Sequence, residues 1–406
     1  MMLDVVIIAV IISAGALQLS PRLSRSPVWR ATVTPLASII GSGFLVLAPI
    51  LVYAYGSKAP LFMGALVFGA YLFGSAIRFN ITIRNEPVTI QDFLAEKMEV
   101  GASWALALAF MISVTYYLNL FGAFGLSLTP INNPANAKLL TSLIFLVILI
   151  VGYTRGFFAL EKMEYTVVMI KLAIIAGLLV SLSYYCYEKA VSSALVVHPP
   201  QLKGWPAVTL AFGLIITVQG FETSRYLGDE YSAAVRVKSM QLAQLVAAAI
   251  YMIYITLFAL SFEHEEFRLT ETAIIDVMGI VAPILPWILV AGALAAQFSA
   301  AIADTSGSGG LIAELTKGRI SPRNGYVLLV IIGLVLTWSA DVFQIISYAS
   351  RAFAVYYALQ AAIAARLAFL LPEQRWRGCL FAPLVIFGVL IVGFGDSVGA
   401  DSSSKH

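Results

Sequence analysis

Four features of this chain put reactive groups where water is scarce. Lys171 lies at the centre of an apolar run, Tyr165 to Leu178, and Glu222 follows Gln219-Gly220-Phe221 in a second. Asp304 and Thr305, with Ser299 just before them, lie in a third run. Gly41-Ser42-Gly43 breaks a fourth, TPLASIIGSGFLVLAPIL. An amine or carboxyl surrounded by apolar sequence is costly to bury and can exchange a proton, so each marks a pathway or a site. Glycine costs a helix interior about 1 kcal/mol relative to alanine, and two flanking a serine favour local unwinding. Unwound backbone offers bare amides and carbonyls, and at membrane depth it is tolerated only where protein covers it or a cavity opens beside it. Two plainer readings stand beside these. Gly41 to Gly43 also suits close helix packing on small side chains, and Lys171 also suits a permanently charged, paired structural tie. Ser299, Asp304 and Thr305 together offer oxygen ligands of the kind sodium takes.

Other chemistry finds little support. No HExxH or paired-aspartate motif occurs, so no catalytic residue is assigned. Cys186 and Cys379 make no disulfide framework, and His198, His264 and His406 are scattered, so neither a metal nor a cofactor is expected. A net charge of +3 gives no reason to expect nucleic acid.

The elements that hold these groups follow from composition. Of 406 residues, 60% are hydrophobic and 12% charged, and mean hydropathy is +0.90. Soluble domains are about 45–50% apolar and about 25% charged, so the chain reads as an all-α integral membrane protein whose partner is the lipid bilayer. A crossing helix needs roughly 20 apolar residues. Twelve stretches qualify, near 3–19, 32–56, 60–80, 101–128, 138–153, 160–187, 206–228, 239–262, 281–303, 324–340, 342–371 and 377–395. The first is short, but Asp4 without a Lys or Arg before it is wrong for a signal peptide, so it is read as an extra amino-terminal span. With the amino terminus outside, sixteen lysines and arginines fall inside and six outside, while Lys171, Arg225 and Arg351 lie within spans. Residues 81–100 read as an amphipathic segment on the inner surface. Glu263, Glu265, Glu266 and Glu271 mark an external acidic loop before a short apolar helix at 273–280. The expected location is a plasma membrane or a bacterial inner membrane.

Setting the extra span aside, the two interrupted helices are the first and sixth of the remainder, and they run in opposite directions. Interrupted helices at corresponding places in two halves point to a transporter built from an inverted repeat.

Ile39-Ile40-Gly41-Ser42-Gly43-Phe44 resembles the first core helix of the amino acid–polyamine–organocation (APC) transporters. Gly220-Phe221-Glu222 with Gly228-Asp229-Glu230 resembles their sixth, and Arg236-Val237-Lys238 the basic turn after it. Tyr165 to Leu178 resembles the fifth, and Ser308 to Pro322 the inner end of the eighth. Where that family usually continues with small or apolar residues, Thr223-Ser224-Arg225-Tyr226 stand here. The resemblance implies a five-plus-five inverted repeat, the LeuT-like fold, with discontinuous first and sixth core helices. The repeats would be 29–190 and 204–372, flanked by an extra helix and loop at 1–28 and an extra helix and tail at 373–406. It also implies alternating-access transport of an amino acid or similar small organic solute. Backbone amides at Ile40, Gly41, Ser42, Gly43 and Phe44 would hold the solute's anionic group. Carbonyls at Val218, Gln219, Gly220, Phe221 and Glu222 would hold its amine. Lys171 would stand where sodium-coupled relatives bind their ion and would couple transport to protons, with Glu222 gating or carrying a proton. Sodium coupling through Ser299, Asp304 and Thr305 is the alternative, and a transporter-derived sensor that binds without moving its solute is another. Arg225 and Asp229, four residues apart, are expected to pair along one helix.

Overall fold

The computed structural model describes residues 2–41, 43–85, 92–156, 164–228, 230–263 and 266–397. Ser42, Asp229, His264, Glu265 and His406 lie outside them. The described residues form helices and turns without strands. In chain order the helices are α1 (Met2–Gln18), α2 (Pro21–Ser24), α3 (Pro27–Ile39), α4 (Gly43–Tyr55) and α5 (Ala59–Arg84). Next come α6 (Phe93–Ser127), α7 (Pro134–Thr154), α8 (Glu164–Val191), α9 (Trp205–Gly213) and α10 (Ala233–Ser261). The last are α11 (Ala273–Val281), α12 (Leu285–Leu315), α13 (Pro322–Ser339), α14 (Val342–Leu370) and α15 (Arg375–Phe394). The short apolar helix expected at 273–280 is α11.

Several starts are set by side chains that satisfy the first amides, which have no partner inside a helix. Asp92 Oδ1 accepts from the Ala95 amide at 2.8 Å, opening α6. Asn133 does the same for Asn136 at 2.8 Å, with Pro134 as the first residue of α7. At α14 the cap is reciprocal: Asp341 accepts from the Gln344 amide at 2.9 Å, and the Gln344 side chain accepts from the Asp341 amide at 3.1 Å.

Among the described residues, nine stretches are long and apolar enough to cross a bilayer, making this an integral multi-pass membrane protein. The first of them, Gly43–Arg84, contains both α4 and α5, parted by a turn at Gly56–Lys58 with Gly56 at φ +53°. The stretch at 206–228 is not among the nine because it is broken: α9 gives way to a 3-10 turn at Ile215–Val218, an extended Gln219, and a second 3-10 segment at Phe221–Tyr226. α1 is shorter, at 17 residues. It lies along α8, where a Cβ on Gly177 would stand 2.8 Å from Ile11 Cγ1.

α4 is buried along nearly its whole length, and α6 and α14 over more than half of theirs. α6 packs along α12 and α14, and α10 packs along α3 and α5. Residues 81–100 do not form the single surface segment expected of them. Residues 81–84 end α5, while 93–100 are the first turns of α6 and continuous with its span. The Asp92 cap starts the helix before the apolar run begins, and it turns Glu99 toward Arg84 and Arg225 rather than toward the surface.

A candidate site where two broken helices meet

α3 stops at Ile39, Ile40 leaves helical geometry (φ −87°, ψ 50°), and α4 restarts at Gly43. The second break is sharper, with Gly220 at φ +116° after the extended Gln219. The two breaks dock on each other. A Cβ on Gly43 would lie 3.0 Å from Thr217 Cα, and one on Gly220 would lie 2.7 Å from the Ile39 nitrogen. Glycine is therefore required at Gly220 for close approach and for its torsion, and a side chain at Gly43 would fit only if Thr217 gave way by a few tenths of an ångström.

The groups released by the breaks are taken up by distant side chains. In an unbroken helix the Ala37 carbonyl would accept from the amide of residue 41. Here Lys171 Nζ donates to it at 2.7 Å, and Lys171 is 9% exposed. The Tyr251 hydroxyl on α10 lies 3.0 Å from the Ile39 carbonyl and 2.6 Å from the Thr217 carbonyl, so one buried O–H spans both breaks. Glu222 is fully enclosed, and its Oε2 accepts from the Gly220 amide at 3.0 Å and the Tyr357 hydroxyl at 3.0 Å. Gln219 donates to the Tyr117 hydroxyl at 3.1 Å. Phe44 stacks on Tyr254 with ring centroids 4.3 Å apart and meets Tyr251 edge-on at 5.3 Å.

Ile40, Gly41, Gly43, Phe44, Val218, Gln219, Gly220, Phe221 and Glu222 thus lie at or beside one junction, and Lys171 reaches its inner edge. Ser42 lies outside the described residues. Ser299, Asp304 and Thr305 do not converge. Thr305 bonds the carbonyl of Ala301 in its own helix at 2.6 Å, and Asp304 accepts from Ser113 on α6. Ser299 stands five residues back, about 140° around the helix from Asp304.

Asp229, expected to pair with Arg225, lies outside the described residues. The Arg225 guanidinium bonds Glu99 on α6 and the Gln360 side chain on α14. Around this pair Arg84 bonds Glu99 at 2.9 Å, Gln360 bonds Glu99 at 3.3 Å, and Arg236 bonds the Arg225 carbonyl at 2.7 Å. Nearby, Arg366 grips Asp92 with two bonds, 2.6 and 2.8 Å. Tyr251, Tyr357, Glu99 and Gln360 carry no spacing or motif that marks them in the sequence.

Paired discontinuous helices buried in a multi-pass bundle are the hallmark of a membrane transporter. Residues 21–395 match a family model described as APC superfamily transporter, and the chain belongs to that superfamily. It is 44% identical over 387 residues, 94% of each chain, to a protein of Aquifex aeolicus (strain VF5) that carries the description uncharacterized.

Proposed function

We propose that this transporter carries amino acids or similar small organic solutes by alternating access, driven by protons, on a five-plus-five LeuT-like repeat. The amides at Ile40–Phe44 receive the solute's carboxylate, and the carbonyls at Val218–Glu222 receive its amine, so that backbone reads a zwitterion without a dedicated charged side chain. Lys171 is the coupling residue. As an ammonium it ties α8 to the Ala37 carbonyl, and on losing its proton it can no longer donate the same charge-assisted bond, which loosens the first break. Glu222, set across its own break, gates the second. The observation that carries this reading is the docking of the two breaks, with Lys171 on the carbonyl that the first of them releases.

The test is uptake of a labelled amino acid panel into proteoliposomes, with and without an inward proton gradient, with sodium or choline, in wild type and Lys171→Ala. The expected result is gradient-driven uptake that survives choline and is lost in the variant. Uptake indifferent to pH and membrane potential refutes the coupling, and dependence on sodium replaces it with sodium symport. If no amino acid moves under any ion gradient, the solute class is wrong. Binding without flux identifies a sensor.

A further inference from the structure

Lys171 borders a cavity of about 30 Å3 between α4, α8 and α12. Its wall also contains Gln297 of α12, which is 1% exposed and has neither amide nitrogen nor amide oxygen bonded to a protein group. A buried polar group left without a partner is costly, and native structures seldom keep one. A fully buried primary amide facing a cavity therefore marks a place where something polar enters. The rest of the wall is apolar, with Phe44, Ile174, Ile175 and Leu289 among it. One water needs about 10–15 Å3 of such space, so the cavity takes about two waters, and an amino acid does not fit.

The cavity also has a direction. On α12 its wall runs from Leu289 to Gln297, a rise of about 12 Å. On α8 it continues past Lys171 to Ile174 and Ile175, and on α4 past the break to Phe44 and Leu45. All three runs lead from the depth of Lys171 toward the end of the bundle that the charge bias assigns to the outside. Among the described residues Lys171 is the titratable side chain of this wall. On the helices packed against α8, Asp304 lies two turns deeper on α12 and bonds Ser113, and Tyr251 on α10 bonds the carbonyls of Ile39 and Thr217. Tyr254 of α10 lies 3.5 Å from the Leu45 carbonyl.

We propose that this cavity is a water-filled proton entry to Lys171, and that Gln297 holds the water linking the ammonium to the outer side. The inference rests on the proton-coupled reading above and adds a path for the proton along α8 and α12 that meets the solute's site at Ile40, Gly41 and Phe44 of the first break. Gln297 is a positioning residue. Its carbonyl accepts from water and its NH2 donates, but the amide does not titrate, so the proton moves between Lys171 Nζ and water while Gln297 is unchanged. The lining of isoleucine, leucine and phenylalanine keeps larger solutes out.

Two measurements test it, on protein in phosphatidylethanolamine–phosphatidylglycerol vesicles. X-ray radiolytic footprinting reports bound water directly and needs no solute. Phe44 is expected to oxidise well above Phe124, which is equally buried away from the cavity, and in Gln297→Leu it is expected to fall to the Phe124 level. Equal oxidation of Phe44 and Phe124 in wild type, or no change in the variant, overturns the proposal. The second measurement is uptake of the labelled amino acid panel. Positioned proton transfer typically contributes 10²–10⁴-fold, so losing the held water is expected to slow proton-driven uptake by about tenfold or more. Exchange of labelled for unlabelled amino acid across the membrane, which needs no net proton movement, is expected to persist. Wild-type rates of driven uptake in Gln297→Leu overturn the path. Ala293→Val, which narrows the cavity without altering the amide, is expected to give the same loss and serves if Gln297→Leu fails to fold. A wild type that takes up no amino acid refutes the coupling reading instead, and the footprint then still decides whether Gln297 holds water.

Discussion

Replacing Gly220 by alanine tests the junction of the two breaks at its tightest point. Gly220 holds φ +116°, and a Cβ there would lie 2.6 Å from the Ser38 carbonyl carbon and 2.7 Å from the Ile39 nitrogen. The torsion alone costs an L-residue about 1–3 kcal/mol. The clash is with backbone rather than with the end of a flexible side chain, so relief requires α3 and the second break to move apart. The combined cost is expected to be about 3 kcal/mol, near the upper range for single substitutions and enough to lower the folded-to-unfolded ratio about a hundredfold. Gly310 supplies the control. It lies within α12, and a Cβ there meets nothing within 4 Å. Gly310→Ala is expected to be neutral or to stabilise by up to about 1 kcal/mol. Thermal unfolding in detergent, followed by tryptophan fluorescence, separates the two. Gly220→Ala is expected to melt well below wild type and Gly310→Ala at or slightly above it. If Gly220→Ala melts with wild type, the docking of the breaks is not as close as described, and the backbone argument fails with it.

Further outcomes follow from the bonds around the junction. Tyr251→Phe removes a hydroxyl that spans both breaks, so the loss is expected to be about 1–3 kcal/mol in the same melt, with lowered uptake; an unchanged melt means the two carbonyls have other partners. Glu99→Gln leaves the Arg225 guanidinium, only 10% exposed, short of its counter-charge, and breaking an enclosed pair costs about 3–5 kcal/mol at full burial. The variant is expected to melt lower and to admit water-soluble thiol reagents to a cysteine placed on the inner half of Phe221–Tyr226; equal labelling in both proteins means that the Arg225–Glu99 pair does not close that end. The Arg366 guanidinium and the Ala95 amide hold the Asp92 carboxyl down to about 2 from its usual 3.8. The folded state therefore binds fewer protons than the unfolded one between those values, and the pair's contribution is complete above about pH 4 and lost as pH falls toward 2. Melting points taken from pH 5 downward are expected to fall more steeply in wild type than in Asp92→Asn; parallel curves would count against the pairing.

What the sequence determines by itself is whatever depends on neighbours along the chain. The spans are legible because about twenty apolar residues must be contiguous to cross a bilayer, but a helix start ahead of the apolar run is not: Asp92 caps α6 within residues that read as a surface segment. Both helix breaks are legible as well: Gly41 to Gly43 and Gly220 weaken helix locally, and Glu222 beside Gly220 is out of keeping with its apolar surroundings. The partners of the released groups are a different matter. Lys171 and Ala37 are 134 residues apart, Arg225 and Glu99 126, and Tyr251 and Ile39 212, and no periodicity connects them. Nothing in the spacing around Arg225 points to Glu99 or Gln360, which reach it from α6 and α14. Gln297 is the clearest case. In sequence it is one polar residue in an apolar span, and only the packing of α4, α8 and α12 puts it, without a protein partner, in the wall of the cavity that Lys171 shares. Local chemistry sets where a chain must break. Which groups then meet is decided by packing, because the cost of burying an unpaired polar atom is met only by residues that the fold brings from elsewhere.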